Sequence, residues 1–187
     1  MTNSIQQALQ VLRDGGLMLY PTDTLWGIGC DATNEKAVKK VYELKQRADS
    51  KSLIILASDM GMIGQYVKQI PDIAYNLTEV SDTPLTLIYP QARNLAANAV
   101  AEDETVAIRI ANHDFCQQLL HKFHKPIIST SANISGEATP KTFSEISDII
   151  KKGVDFIVGL ECEGKPTRKP SSIIKVGLNA EIEVIRG

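Results

Sequence analysis

The sequence is poor in the residues that build disulfide frameworks, metal clusters and membrane spans. Its three cysteines, Cys30, Cys116 and Cys162, are odd in number, far apart and without a CxxC pair. That argues against both a set of disulfides and a cysteine zinc site, and leaves reduced thiols in or beside a core. No apolar stretch approaches the roughly 20 residues needed to cross a bilayer. The N-terminal MTNSIQQALQVLRDGG has neither the basic nor the apolar region of a signal peptide, so a cytoplasmic protein with no membrane partner is expected. Neither sign of charge is in excess: 20 Lys and Arg against 22 Asp and Glu give a formal net charge of -2. Attraction for polyanions must therefore come from local clustering, and a general nucleic-acid coat is excluded. Aromatic residues make up 5% of the chain and form no RNA-stacking motif, which counts against RNA binding as the primary role. Repeats, low-complexity tracts and Gly/Ser linkers are also missing, so residues 1–187 are read as one domain with one full-sized core.

What is present is an alternation of apolar runs and helical periodicity. Ile5, Ala8, Leu9 and Leu12 recur on one helix face, predicting a helix over residues 4–12 capped by Asn3 or Ser4 and stopped by Gly15-Gly16. Ala37, Val38, Val41 and Leu44 repeat the pattern over 34–47, with Asn34 as the cap. Further helices are predicted at about 71–79, 113–123 and 143–151. Apolar runs at 17–19, 53–56, 85–89, 106–110 and 127–128 read as strands, and the tail adds 156–158, 172–176 and 183–185. Elements alternate first and strands crowd at the end. The expected fold is therefore α/β, with a twisted mixed sheet and flanking helices. ECEGKPTRKP, residues 161–170, reads as a surface loop able to move over a ligand.

Two hydroxyl-rich segments follow apolar runs: YPTDTLWGIG at 20–29 and STSANISG at 129–136. Between them lies the basic run KQRADSK at 45–51. Strand ends in open α/β sheets are where ligands bind, and turns of this kind offer N–H groups and small hydroxyls to anionic oxygens. With Lys45, Arg47 and Lys51 as countercharge, the three segments describe a polyanion site. Taken singly, each has an ordinary reading. PTDT is a hydrogen-bonded turn, the lysines and arginine are the solvated last turn of a helix, and STSAN caps the next helix. Arg109, within an apolar strand, is harder to set aside because it needs a buried partner or a ligand. His121 and His124 lack a third ligand, so no protein-bound metal is assigned. The acidic neighbours of Cys162 argue against a reactive thiolate. Trp26 is either core or a stacking wall.

Five motifs in order give the chain a family resemblance. YPTDTLWGIG, KQRADSKSL, TVAIR at 105–109, TSANISG at 130–136 and PSSII at 170–174 resemble the pattern of the YrdC-type L-threonylcarbamoyladenylate synthases over nearly the whole length. Three positions depart from it: Trp26 where Tyr is common, Ser52 in place of Pro, and Ser81-Asp82-Thr83-Pro84 in place of a PGP turn, a change placed to shape substrate access. The extra C-terminal domain of longer family members has no counterpart among the 187 residues.

The resemblance implies a concave basic cavity and a reaction of L-threonine, bicarbonate and ATP that gives threonylcarbamoyl-AMP and pyrophosphate for tRNA modification. It implies contacts to threonine from Thr24, Arg109, Ser131 and Ser171. It places Arg47, Lys51, Thr105, Asn133 and Arg186 on ATP, with Lys45 and Arg47 in the catalytic role of neutralising charge. ATP enters as a substrate accompanied by Mg2+, and a threonylcarbamoyl transferase machinery lies downstream. Thr105 and Arg109 are four apart on a strand and so share a face, as Ser131 and Asn133 do. Replacing Arg109 by Ala is expected to remove threonine-dependent turnover and leave the fold intact. The alternatives are a module of the same fold that binds double-stranded RNA or tRNA without this catalysis, weak RNA binding beside catalysis, and a paralogue with another small-molecule activity. A carbamoyl-transfer domain of the hydrogenase-maturation type is disfavoured by the short length.

Overall fold

Nine strands form one mixed sheet in the order β7-β1-β2-β6-β3-β5-β4-β8-β9, seen in a computed structural model that describes residues 1–47 and 53–187. The strands are β1 Met18–Tyr20, β2 Gly27–Gly29, β3 Ile54–Ala57, β4 Leu85–Tyr89, β5 Val106–Ile110, β6 Ile127–Ser131, β7 Phe156–Ile157, β8 Ser172–Val176 and β9 Ile182–Arg186. The parallel pairs are β1 with β7, β3 with β5 and β4 with β8. The remaining pairs are antiparallel. The sheet is thus mixed, as the late crowding of strands implies.

Helix α1, Thr2–Arg13, buries Ile5, Ala8, Leu9 and Leu12 and packs on β1 and on α5, Asp114–Phe123. Fully burying residues such as Phe115, Leu119 and Leu120 of α5 stabilises by roughly 1.5–3 kcal/mol each. The start of α1 departs from expectation. Its N-cap is Met1, with no side-chain cap, because Ser4 has turned inward and donates to Glu161 at 3.2 Å. In α2, Glu35–Lys45, the Asn34 side chain accepts from Ala37 N–H, and Gln46 ends the helix in the left-handed region at φ 50°.

Three further differences have local causes. The 143–151 helix is split into a 3-10 turn, Phe143–Glu145, and α6, Asp148–Lys152, with Ile146 buried in the extended link between them. Helix α3, Met60–Tyr66, was not legible, since it holds two glycines in seven residues; the Asp59 side chain accepting from Met62 N–H nucleates it. Helix α4, Asp72–Val80, lies where periodicity puts it. Strand β2 was also hidden, because GIG has low strand propensity. Its glycines are required by contact. A Cβ on Gly29 would sit 2.6 Å from the Tyr20 ring and 2.9 Å from the Ile128 carbonyl oxygen, the oxygen to which Tyr20 donates its hydroxyl. Gly29→Ala is expected to cost about 1–3 kcal/mol by overpacking, read as a fall in the urea midpoint without a change in slope.

Candidate functional site

The β1–β2 loop carries PTDT over the sheet, and its order comes from Thr22. The Thr22 hydroxyl accepts from the backbone N–H groups of Thr24 and Leu25 and donates to the Leu25 carbonyl at 2.7 Å. Thr22 Oγ1 also lies 2.9 Å from Thr24 Oγ1. The hydrogen-bonded turn and a functional role are therefore not rivals, since the turn aims Thr24. Residues 160–170 are strapped to this loop. Thr167 N–H donates to Asp23 O, and Arg168 N–H to Thr24 O, each at 2.9 Å. Trp26 Nε1 donates to Glu163 Oε1 at 2.9 Å.

Between these segments and the sheet lies a cleft of about 290 Å3. Thr22, Thr24, Trp26, Arg47, Arg109, Ser129, Thr130, Ser131, Thr139, Ser171 and Arg186 are among its lining residues. Three arginines line it, and no carboxylate does among the described residues. Trp26 is both core and wall: it is 2% exposed, packs on Phe143 at 4.9 Å between ring centroids and borders the cleft.

Arg109 projects from β5 and is 3% exposed. Its Nη1 donates to Asp23 Oδ1, and its Nη2 lies 3.3 Å from Thr24 Oγ1. Its Nε is buried and makes no hydrogen bond among the described residues. The partner that an arginine in an apolar strand requires is thus Asp23 of the PTDT turn, a residue that sequence reasoning left without a role. The signal lay in that same requirement, but nothing in the linear spacing identified which acid answers it. Ser171 Oγ lies 2.7 Å from Thr86 Oγ1, and the Ser171 carbonyl accepts from Arg186 Nε and Nη2 at 2.9 and 2.6 Å. These bonds fix the late strands against the cleft. Burial holds both Arg47 and Arg186 below the usual guanidinium range.

The other expected site residues stand apart. Lys45 continues the inward stripe of Val38, Val41 and Tyr42 on α2 and is 2% exposed. Its Nζ donates to the carbonyls of Ser131 and Asn133 at 2.5 and 2.7 Å, so its ammonium lies beneath the TSAN segment and outside the cleft lining. Strand β6 runs through Ser131, and alternation stops there. Asn133 turns away, donating its amide to the carbonyls of Ile134 and Glu137. Thr105 precedes β5 and donates its hydroxyl to Asp103 Oδ1 at 2.6 Å, far along the strand from Arg109. Lys51 and Ser52 lie outside the described residues. The Ser81–Pro84 departure lines a different cavity.

Burial raises the pKa of all three thiols, most strongly for Cys30 and Cys116, and all three are free. No group of three or more His, Cys, Asp and Glu that could hold a metal occurs among the described residues. No helix among them is long and apolar enough to cross a membrane.

Comparison with known proteins gives consistent matches. The Sua5_yciO_yrdC family model, described as telomere recombination, matches residues 10–187. The threonylcarbamoyl-AMP synthase of Vibrio vulnificus strain YJ016 is 32% identical over 161 residues, covering 84% of this chain and 87% of its own. That of Pseudoalteromonas translucida strain TAC 125 is 31% identical over 183 residues, 96% of each chain. P. abyssi Sua5, solved in complex with L-threonine, superposes with a TM-score of 0.84 at 29% identity, over 92% of this chain and 50% of that one. The chain thus spans about half the length of that Sua5 protein.

Proposed function

Because the chain belongs to the Sua5/YciO/YrdC family, we propose that it is a threonylcarbamoyl-AMP synthase, a nucleotidyltransferase acting on L-threonine, bicarbonate and ATP. The observation that carries this reading is the cleft, whose lining among the described residues gathers Arg47, Arg109 and Arg186 with a ring of hydroxyls. That composition fits a reaction in which several anions share one small volume.

Bicarbonate loses hydroxide to give carbon dioxide, the uncharged amine of threonine adds to its carbon, and the proton lost from the amine leaves with the hydroxide as water, giving a carbamate. A carbamate oxygen then attacks the α-phosphorus as the bond to pyrophosphate breaks, and pyrophosphate leaves with the bonding electrons. Nothing in this sequence needs a protein nucleophile. It needs alignment and fixed positive charge where negative charge gathers. Arg109 would grip the threonine carboxylate, with Thr24, Ser131 and Ser171 lining the same cleft. Arg47 and Arg186 flank the same space and would receive phosphate oxygens, assisted by Lys51, which lies outside the described residues. Lys45 would act by holding the TSAN carbonyls. Thr105 and Asn133 lie outside the cleft lining, so contacts from them require ATP to extend beyond it. Mg2+ would arrive on the triphosphate, held mainly by phosphate oxygens and water.

The product would feed threonylcarbamoyladenosine formation in tRNA through a downstream transferase in the cytoplasm. Weak contact with tRNA or double-stranded RNA would be sought at a groove lined by Arg13, Lys36, Lys39 and Lys125 together with Asp31 and Glu35. The deciding experiment is pyrophosphate release from ATP by the purified protein, with mass detection of the adenylate. Release that needs both L-threonine and bicarbonate is expected. Release indifferent to either co-substrate, or none from folded protein that binds ATP, would sink the reading.

A further inference from the structure

A second cavity, about 340 Å3 in volume, lies near α4, the 81–84 turn and residues 165–167, lined by the β4 and β5 side chains that point away from the cleft. Strand alternation separates the two: Arg109 faces the cleft, while its neighbours Ile108 and Ile110 line the second cavity. Leu85 and Leu87 of β4 complete an apolar wall. At the mouth stand Asp82 and Lys165, both exposed. Inside is Asp23, only 7% exposed. Its Oδ1 serves Arg109, and its Oδ2 is buried with no hydrogen-bond partner among the described residues.

A buried carboxylate oxygen without a donor is uncommon and costly. Asp23 lines the second cavity, so a donor for this carboxylate would enter from there. The charges narrow the choice of ligand. Asp23 is already opposed by Arg109, and Asp82 and Lys165 offset one another, leaving a site neutral overall with separated poles. A volume of this size exceeds what a bare ion needs and suits a small organic molecule.

We propose that this cavity binds a small zwitterion of the amino-acid class. The ammonium donates to Asp23 Oδ2, the carboxylate meets Lys165, and the side chain lies on Leu87, Ile108 and Ile110. Because Asp23 is shared, occupancy also acts on the cleft. An ammonium at Oδ2 draws negative charge from Asp23, leaves Arg109 less neutralised and raises the affinity of the cleft for anions. By linkage, an anion in the cleft strengthens binding in the second cavity by the same factor. This coupling rests on the reading of Arg109 as an anion donor, whereas binding itself does not.

The test is a backbone-amide NMR titration of the full chain with L-leucine, and with isobutylamine and isovalerate as its two halves. Saturable shifts at Thr78, Thr83, Leu87, Ile110 and Thr167 are expected with L-leucine, weaker ones with either half. Lys165→Glu should weaken binding by about tenfold, and Thr167→Trp, which fills the cavity from an exposed position, should remove it. Absence of these shifts at millimolar L-leucine, or shifts that both variants leave unchanged, would overturn the site. For the coupling, the affinity of inorganic pyrophosphate for the cleft is measured with and without L-leucine. A gain of about fivefold is expected; an unchanged affinity with the second cavity filled would refute it. Neither arm requires turnover, so failure of the synthase activity would be seen separately.

Discussion

Arg109→Ala is expected to abolish threonine-dependent pyrophosphate release and also to melt early. The side chain is buried against Asp23, which is itself buried. Removing one member of such a pair leaves an uncompensated charge in the interior, at a cost of about 3–5 kcal/mol. The tertiary structure therefore corrects the expectation that the fold would be indifferent to this change. The double variant Asp23→Leu/Arg109→Met removes both charges and should recover most of the lost stability, since a buried ion pair gains little over apolar packing of similar volume. It should recover no turnover, because the donor proposed for the threonine carboxylate is gone. Thermal melts and the pyrophosphate assay separate the two effects. An Arg109→Ala protein with native Tm and native turnover would remove both the structural and the functional assignment.

Lys45→Met should be nearly as severe, and for a reason other than lost contact with substrate. The ammonium satisfies two carbonyls of the TSAN segment, while the Lys45 carbonyl accepts from Ser135 N–H at 2.8 Å. Stranding the two carbonyls costs about 1–3 kcal/mol each. The segment that aims Ser131 then shifts, so KM for ATP is expected to rise along with the loss of stability. A specific pH signature accompanies this. Burial, then the neighbouring Arg47, pushes the Lys45 pKa down to about 8, against 10.5 for an ordinary lysine. Between these values the unfolded chain binds more protons than the folded one, so this group's contribution rises with pH. It is complete above 10.5 and lost as pH falls through about 8. The stability difference between wild type and Lys45→Met should therefore widen from pH 8 toward 10.5. A difference flat across that window would show that Lys45 is not perturbed.

Secondary structure and family were largely legible because both are written in short-range pattern. Strands β4, β5 and β8 fall on the apolar runs that announce them, and Asn34 caps α2 as its side chain permits. The five ordered motifs similarly marked most of the cleft, with Thr24, Arg47, Arg109, Ser131 and Ser171 all on its walls, and Arg186 joins them from β9. What failed were inferences carried beyond the element that justified them. Asn133 was given the face of Ser131, but the strand had ended. The resemblance gives Lys45 a charge-neutralising place at the site, with a solvated helix end as its ordinary rival, but the side chain continues the buried stripe and lies outside the cleft lining.

The sequence by itself determined most of the strands and helices, the family and the chemical character of the site, because these depend on residue type and on spacings within one element. Only the tertiary structure decided that Asp23 answers Arg109 across 86 positions, that Lys45 spends its charge on carbonyls of another segment, and that the 81–84 turn borders a second cavity. The physical reason is that burial, ion pairing and the satisfaction of polar atoms belong to pairs of residues brought together by sheet order. That order is set by how all the apolar faces are buried at once, which no local stretch of the chain encodes.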